Sequence, residues 1–382
     1  MEEWINCPLG EILNFRRGHD LPHTEMAGGD IPVAGSNGII GFHNEASPIS
    51  PCITIGRSGN VGIPFMYNRA WAHNTTLYID DFKGNDPLYI FYLLKTLPLS
   101  SFGGGSAVPT LNRNHIHPLI VKHCTNVSVQ RRIASVLKSF DDKIELNNRI
   151  NHNLEEQAQA LYKSWFVDFE PFRDGKFVES ELGMIPEGWD AKPLSSICHI
   201  EKKTINPQKH PTRLFTHYSI PAYDNSELPE LQKGSDILSN KYIISDCTIL
   251  FSKLNPRIKR IWNVYQSESN SICSTEFVVY KPMDIDTYPF LYSFITGDDF
   301  YNNIMSKVNG ATGSHQRFHP EETLDILVPY HIDCYRLYSQ LVLPIIQQID
   351  ENKRENHYFA SLRDSLLPKL MSGELKINDL TC

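Results

Sequence analysis

Two long stretches of the chain place their inward residues at alternating spacings of four and three. The first runs through Ile133, Leu137, Phe140 and Ile144, then Leu154, Ala158, Leu161 and Trp165. The second runs through Tyr338, Val342, Ile345 and Ile349, then Phe359, Arg363, Leu366 and Leu370. This is a heptad seam, the pattern of one helix packed along another. Each seam breaks at two positions: Asn147 and Asn151 in the first, Asn352 and Asn356 in the second. Laid antiparallel, Asn147 and Asn151 face Asn356 and Asn352. Asparagine in such a seam costs stability and fixes register. These four are therefore the candidate helix-pair register residues; a loosely packed pair with solvent-facing Asn is the plain alternative. An ideal helix from Ile133 to Trp165 is roughly 50 Å long. Pro344 lies inside the second pattern and predicts a kink there, or a helix that starts anew.

Between these stretches the pattern changes to short apolar runs set off by Gly, Pro and Asn. Residues 1–125 carry IPVAG, PCITIG, TTLYID and PLIVK; residues 189–330 carry YIIS, TILFSK, EFVVY and LDILVP. Such runs read as strands, with short helical segments near 87–97 and 288–306. Landmarks recur in order. Trp4 and Trp189 each open W-x3-P-L-x2-I, and Gly105-Ser106 and Gly313-Ser314 each precede a strand-like run and then an Asn/Arg/His octet. The expected fold is α+β: two mainly-β globular domains separated by a pair of long antiparallel coiled-coil helices, with an internal pseudo-two-fold repeat. The expected boundaries are a globular domain at 1–125, a helical spacer at 126–170, a linker at 171–188, a second globular domain at 189–330 and a second spacer at 331–382. The linker rests on Pro171, Gly175, Gly183, Pro186 and Gly188, and Gly373 is the expected cap of the second helix.

Composition narrows the function by exclusion. Hydrophobic content of 41% and charged content of 21% are those of a soluble globular protein. The start, MEEWINCPLGEI, has no apolar h-region, and no apolar run is long enough for a bilayer. The eight cysteines are scattered without a CxxC, against a zinc site and against a disulfide framework. A reduced, cytoplasmic protein with no membrane is expected. There is no P-loop, HExxH, GxSxG, GxGxxG or NPPY-like motif, so no catalytic residue, cofactor or metal is assigned. His115 and His117 alternate as in a strand and read as structural. His152 and His357 read as helix-pair packing or partner contacts, and Asp141–Asp142 as a solvated helix face.

Two similar surfaces held apart suit a partner with a repeating form, such as double-stranded DNA. A net charge of −8 means that any basic surface must be local. The first domain offers Arg16, Arg17 and His19, then Ser36 and Asn37, then Arg57, Ser58 and Asn60, then Asn74. The second offers Lys253, Asn255, Arg257, Lys259 and Arg260, then His315, Gln316 and Arg317. Arg, Asn and Gln on glycine-permitted turns reach base edges and phosphates. A solvated turn is the alternative for each cluster taken alone. A two-lobed protein–protein scaffold and a lone DNA methyltransferase are the other functional readings. Random-site selection on DNA separates the first, and S-adenosylmethionine binding the second.

The chain resembles the specificity (S) subunits of type I restriction-modification systems. The resemblance is carried by RRGHDLP, GSNGIIGFHNE, IGRSG, NTTLYI, GSAVPTLNRNHIHPL, NNRINHNLEEQAQALYKSWFVDFEPF, FSKLNPRIKRIW, STEFVV, NGATGSHQRF and LRDSLLPKLMSGEL. It implies that each globular domain is a target recognition domain reading one half of a split, asymmetric DNA site. It implies that the helices set the gap, and that two methyltransferase (M) subunits and restriction (R) subunits dock on the chain. Those partners would bind S-adenosylmethionine, ATP and magnesium; this chain would bind none and catalyse nothing itself.

Overall fold

The computed structural model describes residues 4–26, 28–102, 110–307 and 316–377. The Gly-Ser landmarks at 105–106 and 313–314 lie outside them. The architecture is α+β, and the chain divides into two compact units. Unit one comprises 1–144 with 358–382, and unit two comprises 145–357. Each long helix therefore gives one stretch to each unit.

Unit one holds strands β1 (Trp4–Pro8), β2 (Asn14–Arg17), β3 (Ile31–Gly35), β4 (Gly38–His43), β5 (Cys52–Gly56), β6 (Pro64–Tyr67), β7 (Trp71–Ala72), β8 (Thr76–Asp81) and β9 (Ile120–Cys124). Its short helices are α1 (Leu9–Ile12), α2 (Pro87–Thr96) and α3 (Arg113–Ile116). An antiparallel sheet runs β2-β8-β5-β6. Beside it lies β4-β3-β7, in which β3 and β7 are parallel. β1 pairs with β9 as a separate ribbon. CITIG is buried at every position of β5, which is why it reads as an unbroken β-branched run rather than an alternating one. α2 begins where the Asp86 carboxylate accepts the Tyr89 N–H at 3.0 Å and Pro87 fills the first helical position. The core joins Phe15, Ile53, Ile55, Leu77 and Ile79 of the sheet to Tyr89, Ile90 and Leu93. Leu367, Leu370, Met371 and Ile377 close it.

Unit two opens with β10 (Phe177–Ser180) and β11 (Gly183–Pro186), an antiparallel hairpin. The stretch 171–188, expected as a linker, is thus partly folded: Ile185 is buried with Trp189 in the core of this unit. Then follow β12 (Asp190–Pro193), β13 (Cys198–Ile200), β14 (Thr204–Ile205), β15 (Leu214–Tyr218), β16 (Glu230–Lys233), β17 (Lys241–Ile243), β18 (Thr248–Ser252), β19 (Ile261–Val264), β20 (Ser271–Ser274), β21 (Phe277–Pro282) and β22 (Leu327–Tyr330). They form an antiparallel sheet β13-β21-β18-β19, a sheet β14-β17-β20-β15-β16 with β15 and β20 parallel, and a ribbon β12-β22.

The first long helix, α4 (Val127–Tyr162), starts at Asn126, whose side-chain carbonyl accepts the Ser128 N–H at 3.0 Å. α5 (Ile220–Ser226), α6 (Tyr288–Thr296) and α7 (Asp298–Ser306) are short. The second long helix, α8 (Ile332–Met371), runs without a break through Pro344, so the expected restart does not occur. Pro344 and Gln340, whose carbonyl loses its donor, are both solvent-exposed; water can satisfy the freed group.

Asn147, Asn151, Asn352 and Asn356 are all buried. In unit two, Asn147 Nδ2 donates to Asn356 Oδ1 at 2.9 Å, and Asn352 Nδ2 donates to Asn151 Oδ1 at 2.8 Å. Rising numbers on one helix meet falling numbers on the other, so the two stretches run antiparallel there. In unit one, Phe140 packs against Phe359 with ring centres 6.1 Å apart. Arg363 Nη1 donates to Asp141 Oδ1 at 2.5 Å, and Tyr92 donates its phenol proton to Asp141 Oδ2 at 2.6 Å. Asp141 is therefore a half-buried hub rather than a solvated helix face. His152 and His357 are both exposed. His115 and His117 lie at α3 and just after it, not in a strand. The helix ends with Gly373 at φ +67°, where an added Cβ would lie 2.6 Å from Trp4 Cε2.

Candidate nucleic-acid interface

In unit one, the segment after β2 carries Arg16, Arg17, Gly18 and His19. It presses on the strand β7 so closely that a Cβ at Gly18 would lie 2.1 Å from the His73 carbonyl oxygen. The His19 N–H donates to Ala72 O at 2.8 Å, and its ring meets Trp71 and Tyr78. Arg57 sits on the turn after β5, held from both sides. Its N–H donates to Thr75 O at 2.8 Å, and its carbonyl accepts the Leu111 N–H at 2.7 Å. Ser58 bridges to Thr110.

These segments line a groove of about 720 Å³ formed by Arg16, Arg17, His19, Asp20, Arg57, Thr110, Asn112 and Arg113 among others. Four arginines and one aspartate, Asp20, thus line it. Arg16 pairs with Asp80 at 3.7 Å and Arg17 with Asp20 at 3.9 Å. Both arginines are more than half exposed, so these pairs are weak and are readily exchanged for a phosphate. Asn74 donates to Asp20 through its amide, and its carbonyl takes a 3.5 Å contact from Arg57. Asn37 and Asn60 are exposed turn residues. Ser36 is not available to a ligand in this way: it is buried, and its hydroxyl donates to Thr75 O at 2.7 Å, tying the β3–β4 turn to the Arg57 turn.

Arg113 and Asn112 were not among the sequence candidates. Asn112 caps α3 through the Asn114 N–H at 3.0 Å, and Arg113 Nη1 donates to Phe15 O at 3.3 Å. The signal was present in LNRN, an Asn followed directly by Arg, but nothing local tells that this turn returns to the end of β2. His117 supports the same corner: its Nε2 accepts the Phe15 N–H at 3.1 Å. Burial, then the nearby Arg113, depress its pKa below the usual histidine value.

In unit two the corresponding turn follows β18. The Lys253 N–H donates to Glu276 O at 2.9 Å, and the Asn255 N–H donates to Gln316 O at 2.9 Å. Arg317 Nη2 donates to Glu276 Oε1 at 3.0 Å. Lys253, Asn255, Gln316 and Arg317 are thereby gathered around Glu276. Arg257 is exposed nearby, its carbonyl accepting from the Tyr301 hydroxyl at 3.3 Å. Two candidates turn elsewhere. Arg260 is buried and forks onto Asp224, at 2.6 Å and 2.8 Å, so its guanidinium is consumed in holding α5. Lys259 donates to Thr296 O at 2.6 Å, at the end of α6. His315 lies outside the described residues. Among those described, no group of three or more His, Cys, Asp or Glu could hold a metal ion, and no helix is long and apolar enough to cross a membrane.

Residues 1–156 match the family model of the type I restriction modification DNA specificity domain. The MjaIX type I restriction enzyme specificity subunit of Methanocaldococcus jannaschii is 29% identical over 311 residues, covering 76% of this chain and 70% of that protein. The HindI specificity subunit of Haemophilus influenzae is 24% identical, covering 64% of this chain and 67% of its own. Among solved structures, the type I restriction-modification S subunit of M. genitalium shares the fold, with a TM-score of 0.62 over 97% of this chain and 96% of that one at 15% identity. The chain is thus similar, over its first 156 residues and over three quarters of its length, to type I restriction-modification specificity subunits.

Proposed function

We propose that this chain supplies DNA sequence specificity to a type I restriction-modification enzyme, binding a bipartite, asymmetric site on double-stranded DNA. Each unit reads one half-site. The two long helices pair as a coiled coil and set the gap, with Asn147, Asn151, Asn352 and Asn356 fixing their register. The chain itself catalyses nothing; two methyltransferase subunits and the restriction subunits dock on it and carry the chemistry. The observation that carries this reading is the groove of unit one. Arg16, Arg17, Arg57 and Arg113 line it together with Asp20, within the residues that match the DNA specificity domain. Cationic side chains on backbone-locked turns supply phosphate affinity and base contacts together.

Duplication of one unit agrees with the pairing patterns. In both, a four-stranded antiparallel sheet accompanies a sheet with one parallel pair and a ribbon joining the first strand after the tryptophan landmark to the strand before a long helix. The turns that would meet DNA differ, IGRSGN against FSKLNPR, so the two half-sites should differ as well. Methylome mapping in cells that carry this chain with its partner methyltransferase is the test. The expected result is one modified motif of two unlike halves around a fixed gap. A motif without a gap, or no sequence-selective modification, overturns the proposal.

A further inference from the structure

Glu276 occupies the place in unit two that Thr75 occupies in unit one. In each unit the residue after the second strand of the sheet core, Arg57 or Lys253, donates its N–H to the carbonyl of that residue. In unit one the neighbourhood is rich in donors, from Arg57 and Arg113. In unit two Lys253 and Arg317 stand beside acceptors as well, and two of these acceptors are unmatched among the described residues. Glu276 Oε1 takes the Arg317 guanidinium, but Glu276 Oε2 is shut from solvent and meets no hydrogen-bond partner among the described residues. The side-chain oxygen of Gln316, a residue only 9% exposed, is likewise buried without a partner among the described residues. The two residues belong to one corner, since Gln316 O receives the Asn255 N–H and its neighbour Arg317 holds Glu276.

Buried acceptors left unpaired are costly, and a native chain keeps few of them without a reason. Two at one corner of a reading surface call for a ligand that brings donors. Phosphates and thymine O4 are acceptors and cannot satisfy them. The exocyclic amino groups of cytosine and adenine can: carboxylates accept from cytosine N4, and glutamine from adenine N6. Arg317 offsets the Glu276 charge, so the carboxylate can stand near a phosphate backbone without a net repulsive pair. We propose that Glu276 and Gln316 are specificity-determining residues of unit two, reading the exocyclic amino group of an adenine or cytosine in the major groove. This rests on the DNA-reading function proposed above.

The test uses the full chain with its partner methyltransferase, and duplexes carrying the mapped motif. At each position of the half-site read by unit two, the amino group alone is removed, with purine for adenine or 2-pyrimidinone for cytosine. Binding is followed by electrophoretic shift. At one position the wild type should lose about ten- to hundredfold in affinity. Glu276→Gln and Gln316→Ala should each flatten that loss and leave the other half-site unchanged. The responding base tells adenine from cytosine. If every amino deletion is tolerated, or if both variants still lose as much as the wild type, the proposal is wrong. Thermal unfolding is read in parallel, and the two variants lie on separate segments, so a folding failure in one leaves the other informative. A wild type that shows no motif at all would instead defeat the DNA-reading function itself.

Discussion

Replacing Asn151 by leucine strands its partner. Asn151 is 5% exposed and Asn352 is 7% exposed, and the bond from Asn352 Nδ2 to Asn151 Oδ1 is 2.8 Å long. In Asn151→Leu the Asn352 amide keeps its place but donates to nothing, in a seam closed to water. An unsatisfied buried donor costs about 1–3 kcal/mol. In Asn352→Leu the Asn151 carbonyl is orphaned for a similar loss, and the Gln348 amide loses its 2.9 Å acceptor as well. Replacing both partners leaves no buried orphan, since the exposed Gln348 amide turns to water, and adds apolar contact, so the double variant should stand within about 1 kcal/mol of the wild type. The coupling between the sites is then about 3–4 kcal/mol, and the loss in each single variant is about 2 kcal/mol. For a unit of this size that is a Tm difference of about 4–8 °C, readable by tryptophan fluorescence, to which unit two contributes Trp165, Trp189 and Trp262. Each single variant should melt early and the double variant near the wild type. If the two losses simply add, the asparagines do not act as a matched pair. The double variant should also blur the gap in the methylated motif, because of the two asparagine pairs only Asn147–Asn356 then penalises a shifted register.

Three further outcomes follow from geometry. Asp141→Ala takes away the acceptor shared by Tyr92 and Arg363; with both charged side chains about a quarter exposed, unit one should lose about 1.5–3 kcal/mol, measured by urea unfolding. Gly373→Ala puts a Cβ at φ +67° against the Trp4 ring, and a loss of about 1–3 kcal/mol is expected in the same assay; an unchanged midpoint would contradict the packing of Trp4. For His117, burial lowers the folded-state pKa below the ordinary 6.5. The neutral ring that accepts from Phe15 thus contributes stability above that value, and the contribution is lost as pH falls through the lower folded pKa. The Tm gap between wild type and His117→Gln should therefore shrink between about pH 7.5 and about pH 5. A gap that widens on acidification reverses the sign and refutes it.

Local periodicity made the helices legible, and long-range partners account for what was missed. Ile133, Leu137, Val342 and Ile349, four of the periodic positions, are buried. The asparagines announced themselves by interrupting it twice at matching places. Pro344 misled because a proline predicts a broken bond but not which side of the helix carries it. Arg260 read as a surface cation because Asp224, its partner, is 36 positions away on a short helix. Glu276 lies in the STEF run at 274–277 but is no candidate on sequence alone, since an acidic residue is not what a phosphate-binding surface advertises. The groove arginines at 16, 17 and 57 were visible as Arg beside Gly. The approach of Arg113 to them depends on a return of 98 positions to Phe15.

Unit one is assembled from two distant pieces of chain, and this bears on synthesis. Residues 145–357 hold everything unit two needs and can collapse once they have left the ribosome. Unit one, although its synthesis starts first, lacks Leu367, Leu370 and Met371 until all of unit two has been made. It waits with part of its core uncovered while the later-made unit is already complete. A premature stop or proteolytic nick ahead of Leu367 would thus unseat the first-made unit and leave the second one standing.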